Sequence, residues 1–188
     1  VNGEKTLSFG SEARKAENAL EELDRIWELG LRGIKLHPDY QGFNVNDKAL
    51  YPIYDKIAQM GLICVFHAGF DPVSPQHVYC PPDQARRLHR QVPKLKMGLA
   101  HMRWDEAEQY LMGENIYLDT SFCAGNLPTE QCQKMIRKHG SEKILYGSDC
   151  PWMNGAKNIA YINNLDISAA DKDNIFYKNA QRLLPGLL

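Results

Sequence analysis

Apolar residues fall along the chain in two alternating rhythms. Short, nearly continuous runs recur around Leu7, Ile34, Val65, Leu99, Tyr117 and Leu145, and runs of this length bounded by glycine or proline predict buried strands. Between them apolar residues return every three to four positions. Over 13–29 the stripe is Ala16, Ala19, Leu20, Leu23, Ile26 and Trp27, with Gly30 placed to stop the helix. Over 47–60 it is Leu50, Ile53, Tyr54, Ile57 and Ala58, which puts Pro52 in the first turn, where its missing N–H costs nothing. Helices are also predicted over 83–91, 104–111, 128–139 and 156–163, and a last one opens at the Ser168-x-x-Asp171 capping box. Pro38 stops the second strand before a polar, aromatic loop over 39–46, and the proline-rich loop over 70–82 is long enough to be functional.

Strand and helix alternate without hairpin signals, linkers or low-complexity tracts, which predicts βαβ units and a parallel sheet in a single domain over 1–188. Two architectures satisfy this pattern. One is an open doubly wound sheet; the other is a (β/α)8 barrel with two of its units missing. No glycine-rich loop follows a strand, which argues against a nucleotide-binding open sheet.

Composition narrows the partners. Lys+Arg number 22 and Asp+Glu 23, for a formal net charge of −1, so no nucleic-acid or anionic-membrane surface is implied. No apolar run reaches the length of a membrane span, and no signal-peptide pattern opens the chain. Five cysteines without CxxC spacing read as reduced thiols, hence a cytoplasmic protein.

The candidate chemistry sits just past the strand ends. Ile144-Leu145-Tyr146 breaks at Gly147 and delivers Asp149; Leu62 to Phe66 delivers His67; Leu95 to Ala100 delivers His101. In α/β proteins ligands bind where parallel strands terminate. Any one of these residues alone would read as a helix cap or a hydrogen-bonded core histidine. Together, imidazoles and a carboxylate converging from separate strands suit a divalent metal, most simply Zn²⁺ with an open water position. Asp149 then serves as ligand, general base or both. Lys35 and His37 share one face of their strand. For Lys35 a structural ion pair with Asp119 competes with anchoring a substrate carboxylate. Asp119 with Ser121 is a candidate for steering an imidazole. Arg103 is placed to grip an anionic group, against the plainer reading of a solvated arginine. Trp152 and His77 are candidate pocket walls, and His89 and His139 read as surface histidines.

Gly33-Ile34-Lys35-Leu36-His37-Pro38, Phe66-His67-Ala68-Gly69, Leu99-Ala100-His101-Met102, Tyr117-Leu118-Asp119-Thr120-Ser121 and Tyr146-Gly147-Ser148-Asp149-Cys150-Pro151-Trp152 occur in this order, and Asn179-Ala180-Gln181-Arg182-Leu183-Leu184 closes the chain. This series resembles the amidohydrolase-related family of metal-dependent TIM-barrel enzymes, in the branch that includes aminocarboxymuconate-semialdehyde decarboxylase, aromatic-acid decarboxylases and lactone or amide hydrolases. The resemblance implies a (β/α)8 TIM barrel of which this chain holds strands three to eight. It implies His67 and Asp149 as metal ligands and His101 as the catalytic histidine of the sixth strand. It departs in two places. The family's first-strand Asp-x-His-x-His pattern is absent from the sequence, and Arg103-Trp104 follow His101 where relatives carry glycines. The expectation is that N-terminal strands belonging to the full protein lie outside this sequence.

The expected activity is hydrolysis of a small molecule, a metal-activated water attacking a carbonyl while Asp149 takes the proton and His101 assists. Non-oxidative decarboxylation of a small carboxylic acid is the alternative, and a non-catalytic relative that has lost its metal is a third reading. The partners expected are a small-molecule substrate, no nucleic acid and no membrane, with homo-oligomers allowed.

Overall fold

The computed structural model describes residues 7–8, 18–71, 76–102 and 105–184. They form two compact units that divide between Gly98 and Leu99.

In the first unit, β1 (Leu7–Ser8), β2 (Gly33–Leu36) and β3 (Ile63–Phe66) pair in parallel, and β4 (Lys96–Leu99) follows β3. The helices between them are α1 (Ala19–Glu28), the single turn α2 (Pro38–Gln41), α3 (Tyr51–Gln59) and α4 (Pro82–Gln91). The pleat of β2 buries Ile34 and Leu36 and leaves Gly33 and Lys35 on the less covered face. Ile34 and Leu36 join Leu23 and Ile26 of α1 and Tyr54 and Ile57 of α3 in the core. Each such side chain contributes about 1.5–3 kcal/mol by leaving water. Pro52 stands in the first turn of α3, after a 3-10 turn over Lys48–Leu50 capped by Asp47.

The second unit pairs β5 (Tyr117–Asp119) with β6 (Ile144–Leu145) in parallel. Around them stand α5 (Asp105–Tyr110), α6 (Thr129–His139), α7 (Gly155–Asn163), α8 (Ala169–Asp173) and α9 (Asn179–Leu183), with a π-helical stretch, Asn174–Lys178, joining the last two. The Ser168–Asp171 capping box is formed as predicted. Asn179, fully buried, donates from Nδ2 to the carbonyls of Ser141 (2.8 Å) and Ile144 (2.6 Å), so the final helix is hydrogen-bonded to the start of β6.

Several expectations need correction. The first helix is described only from Ala19, and the part over 13–17 lies outside the described residues. On it, Leu20 and Trp27 are exposed rather than buried, and Trp27 instead stacks under the Arg32 guanidinium, 4.3 Å from its ring centre. Pro38 opens a helical turn as well as ending a strand, because a proline fits the first helical position. His89 and His139 are buried, not surface residues, since helix periodicity places them toward the core despite charged neighbours. Cys64, Cys80, Cys123 and Cys132 are buried and in no disulfide, and Cys150 is exposed. Burial pushes the Cys132 thiol up to about 11. No helix among the described residues is long and apolar enough to cross a membrane.

His139 ends α6 and donates through Nε2 to the Ile116 carbonyl at 2.7 Å. Burial holds its imidazole below the ordinary range, because the charged form would lose its water. The folded state therefore resists protonation that the unfolded chain accepts. Stability from neutral His139 is full above the unfolded value, about 6.5, and is lost as pH falls through the lower folded value. Replacing His139 with Gln, which keeps an N–H donor, is expected to flatten the fall in urea-unfolding free energy between pH 7.5 and 5. An unchanged slope would remove His139 from that account.

Candidate active site at the carboxyl ends of the strands

Parallel pairing decides which residues meet in the first unit. Leu36 lies opposite Phe66, and the His67 amide donates to the Leu36 carbonyl at 2.8 Å, so the residue after each strand emerges level with its neighbour. The His37 and His67 rings accordingly stack, with centroids 4.0 Å apart and planes within 10°, and Tyr40 covers the other face of His37 at 3.8 Å. Asp71, buried four residues beyond His67, points Oδ2 at both imidazoles, 3.5 Å from His37 Nε2 and 3.6 Å from His67 Nε2. These separations are longer than direct hydrogen bonds. One donor atom from each residue lies within 4.8 Å of the others, and two imidazole nitrogens with a carboxylate oxygen are a donor set that fits a divalent cation.

The three donors are not equivalent. His37 caps α2, with Nδ1 accepting the Tyr40 amide at 3.4 Å. In the neutral ring this puts the proton on Nε2, toward Asp71. His37 is thereby suited to orient Asp71, and it could ligate through Nε2 only by giving up its cap. Lys35 is half-buried on the same face of β2, and its charge is felt by the Cys64 and Cys80 thiols.

In the second unit the residues past β4, β5 and β6 all turn sharply. His101, Phe122 and Asp149 adopt left-handed backbone conformations, with φ of 67°, 60° and 58°. Each costs on the order of 1–3 kcal/mol for a residue with a side chain, and such strain collects at functional sites. At His101 hydrogen bonding holds the turn. The amides of His101 and Ser121 both donate to Asp119 Oδ1 at 2.9 Å, and the Ser121 hydroxyl also bonds that oxygen. Ser121 Oγ is 2.7 Å from His101 Nδ1, and the Phe122 ring meets the imidazole edge-on at 5.5 Å. His101 and Ser121 are buried.

Asp149 is half-buried, and it does not cap the helix that follows; Asn154 caps α7, accepting the Ala156 amide at 2.9 Å. Gly147 lets the chain pass close to Asp119; a Cβ there would lie 3.1 Å from the carboxylate, so the side chain would have to shift by a few tenths of an ångström. Asn158, fully buried on α7, ties the ends of β5 and β6 together. Its Nδ2 donates to the Gly147 carbonyl at 2.5 Å and the Thr120 carbonyl at 3.1 Å, while Thr120 Oγ1 accepts the Gly147 amide at 3.2 Å.

Of the residues singled out by sequence, the first unit brings His37 and His67 together and adds Asp71, which sequence reasoning missed. Its one signal was a carboxylate opening the proline-rich loop that follows His67. The second unit brings His101 together with Asp119 and Ser121. Trp152 lies in the turn beyond Asp149, 81% exposed, and His77 is exposed, bonded to Asn44 Oδ1 at 3.1 Å. Arg103 lies outside the described residues.

Residues 8–186 match the family described as Amidohydrolase, and the chain belongs to it. Over 70 residues it is 37% identical to the gamma-resorcylate decarboxylase of Polaromonas sp. (strain JS666 / ATCC BAA-500), a stretch that covers 37% of this chain and 21% of that protein. Solved structures with the same fold include an uncharacterised TIM-barrel protein from Bordetella bronchiseptica, with a TM-score of 0.77 and 22% identity over 95% of this chain and 65% of that one. The 2,6-dihydroxybenzoate decarboxylase from Rhizobium matches with a TM-score of 0.67 and 20% identity, over 91% of this chain and 68% of that one. A dihydroxybenzoic acid decarboxylase from Polaromonas sp. JS666, solved with bound manganese and the inhibitor 2-nitroresorcinol, matches with a TM-score of 0.65 and 21% identity, over 88% of this chain and 64% of that one. The fold is therefore that of the (β/α)8 barrel, of which this chain holds part, as the sequence resemblance implied. The chain spans 65% of the length of the Bordetella protein.

Removing the Asn158 amide would take one hydrogen bond each from the Gly147 and Thr120 carbonyls and leave the Ala124 amide without its side-chain acceptor. Asn158→Ala is expected to cost about 2–3 kcal/mol in urea unfolding, whereas Ala at exposed Asn163 should change it by less than about 0.5 kcal/mol. Equal effects would mean that Asn158 does not hold the strand ends.

Proposed function

We propose that the protein containing this chain is a metal-dependent, non-oxidative decarboxylase of a small carboxylic acid, of the hydroxybenzoate type. The observation that carries the reading is the donor set of His67, Asp71 and His37 at the carboxyl ends of parallel strands, in a family whose similar members include several decarboxylases. The hydrolytic expectation has less support, since the similar proteins that act on a stated substrate are decarboxylases. His67 and Asp71 would hold the cation, with Asp149 joining them as the family resemblance implies. A relative carries manganese, so Mn²⁺ stands beside Zn²⁺ as the candidate ion. Such an ion, when bound, would offset the negative charge that the substrate's oxygens carry and accumulate.

The chain's own residues supply the rest. In decarboxylation the bond to the carboxylate carbon breaks, CO₂ leaves, and the electron pair left on carbon takes up a proton. His101 Nε2 is the proposed carrier of that proton, and Ser121 and Asp119 hold its ring. Lys35 is the proposed anchor for the substrate's anionic group, with Arg103 and Trp152 as further candidates. The proposed partners are this small molecule and, for some members of such a fold, further copies of the chain.

The test is to strip the purified protein of metal, reload it with Mn²⁺ or Zn²⁺, and supply carboxyl-¹³C 2,6-dihydroxybenzoate in D₂O. Expected are metal-dependent release of ¹³CO₂ and deuterium at the carbon that lost it. His101→Gln should lower turnover by about 100-fold or more, the scale of a lost general acid–base group. Cleavage of lactones or amides with no CO₂ released would overturn the reading in favour of a hydrolase. Failure to bind either ion would overturn it in favour of a non-catalytic relative.

A further inference from the structure

We infer that Ser121 and Asp119 are positioning residues that lock His101 in the tautomer with its proton on Nδ1, leaving Nε2 as the nitrogen that takes up and hands on a proton. The inference rests on the role proposed for His101 and adds how the chain prepares it.

Ser121 Oγ has one hydrogen and two polar neighbours, Asp119 Oδ1 and His101 Nδ1. Asp119 Oδ1 already accepts two backbone amides, from His101 and Ser121, each at 2.9 Å, so it faces the hydroxyl as an acceptor. Between two oxygens, one a hydroxyl and one an accepting carboxylate, only the hydroxyl can supply the proton. Its hydrogen therefore goes to Asp119, and its lone pair is left facing Nδ1 at 2.7 Å. A bare Nδ1 would bring two lone pairs together in a buried site; a protonated Nδ1 donates to Ser121 instead. The chain of donors thus runs from His101 Nδ1–H to Ser121 Oγ and from Ser121 Oγ–H to Asp119 Oδ1.

A purely structural role does not account for the whole arrangement. Asp119 accepts the backbone amides of His101 and Ser121 at the left-handed turn, and an alanine at 121 would keep its amide. The Ser121 hydroxyl is the part that touches the imidazole. It is buried, as is His101, so water does not readily replace it. The Phe122 ring packs perpendicular to the imidazole, with centroids 5.5 Å apart.

The tautomer can be read without substrate or metal. In the protein labelled with ¹⁵N-histidine at pH 8, long-range ¹H–¹⁵N correlation, assigned by loss of the signal in His101→Gln, is expected to show Nδ1 protonated and Nε2 bare. Ser121→Ala should lose that preference, and Ser121→Thr, which keeps the hydroxyl, should restore it. In turnover, Ser121→Ala should lower kcat by about 10–100-fold, the usual cost of losing a group that orients a catalytic imidazole, with KM little changed and activity recovered in Ser121→Thr. A wild-type spectrum with the proton on Nε2 would overturn the inference, as would a Ser121→Ala spectrum identical to wild type. If the tautomer is as stated and no carboxylic acid loses CO₂, the proposed reaction fails and the positioning stands.

Discussion

Parallel pairing is the constraint on which the rest depends. When neighbouring strands run the same way, their carboxyl ends come to the same edge, and each must be followed by a crossover on the helical side. Within the first unit this sets His37 beside His67, one residue past the matched pair Leu36 and Phe66. Within the second it sets Thr120 beside Tyr146 and Gly147, past the matched pair Asp119 and Leu145. Side chains far apart in sequence are gathered without any special loop, because the ladder does the gathering.

The same edge is where the backbone is least comfortable. His101, Phe122 and Asp149 occupy a conformation that residues with side chains avoid, and local hydrogen bonds offset the cost. Asp119 does this for His101, while Asn158 and Thr120 hold the chain at Gly147. These polar groups are buried and paired, so each is costly to remove and each fixes a geometry. A chain that only needed to fold could end its strands in ordinary turns. One that must aim an imidazole from a strand end needs the sharper turn and the groups that hold it.

Stacked imidazoles facing a shared carboxylate oxygen add a second kind of constraint. Asp71 is reached by both His37 and His67 at distances longer than a hydrogen bond. Because His37 also caps α2, orienting a carboxylate and ending a strand are done by one residue. His37 Nδ1 accepts the Tyr40 amide, so its other nitrogen, Nε2, is the one that faces Asp71.

Much of this was legible in the order of residues. Short continuous apolar runs and a hydrophobic period near 3.6 are local properties, so alternating strands and helices, the capping box at Ser168 and the first-turn position of Pro52 could be read directly. So could the placement of His67, His101 and Asp149 just past strands, since glycine and proline mark those ends. What could not be read depends on neighbours remote in the chain. Trp27 lies outside because its stripe is wider than the surface it covers, and His139 lies inside because its helix end meets the Ile116 carbonyl. Asp71 joins the histidines only because the loop after His67 returns to the strands, with Gly69 bonded to Cys80 and Val45 to Tyr79. The order of residues determined which chemistry each strand would present. Tertiary structure alone brought Asp119 and Ser121 to His101, because those groups come from a different strand of the ladder.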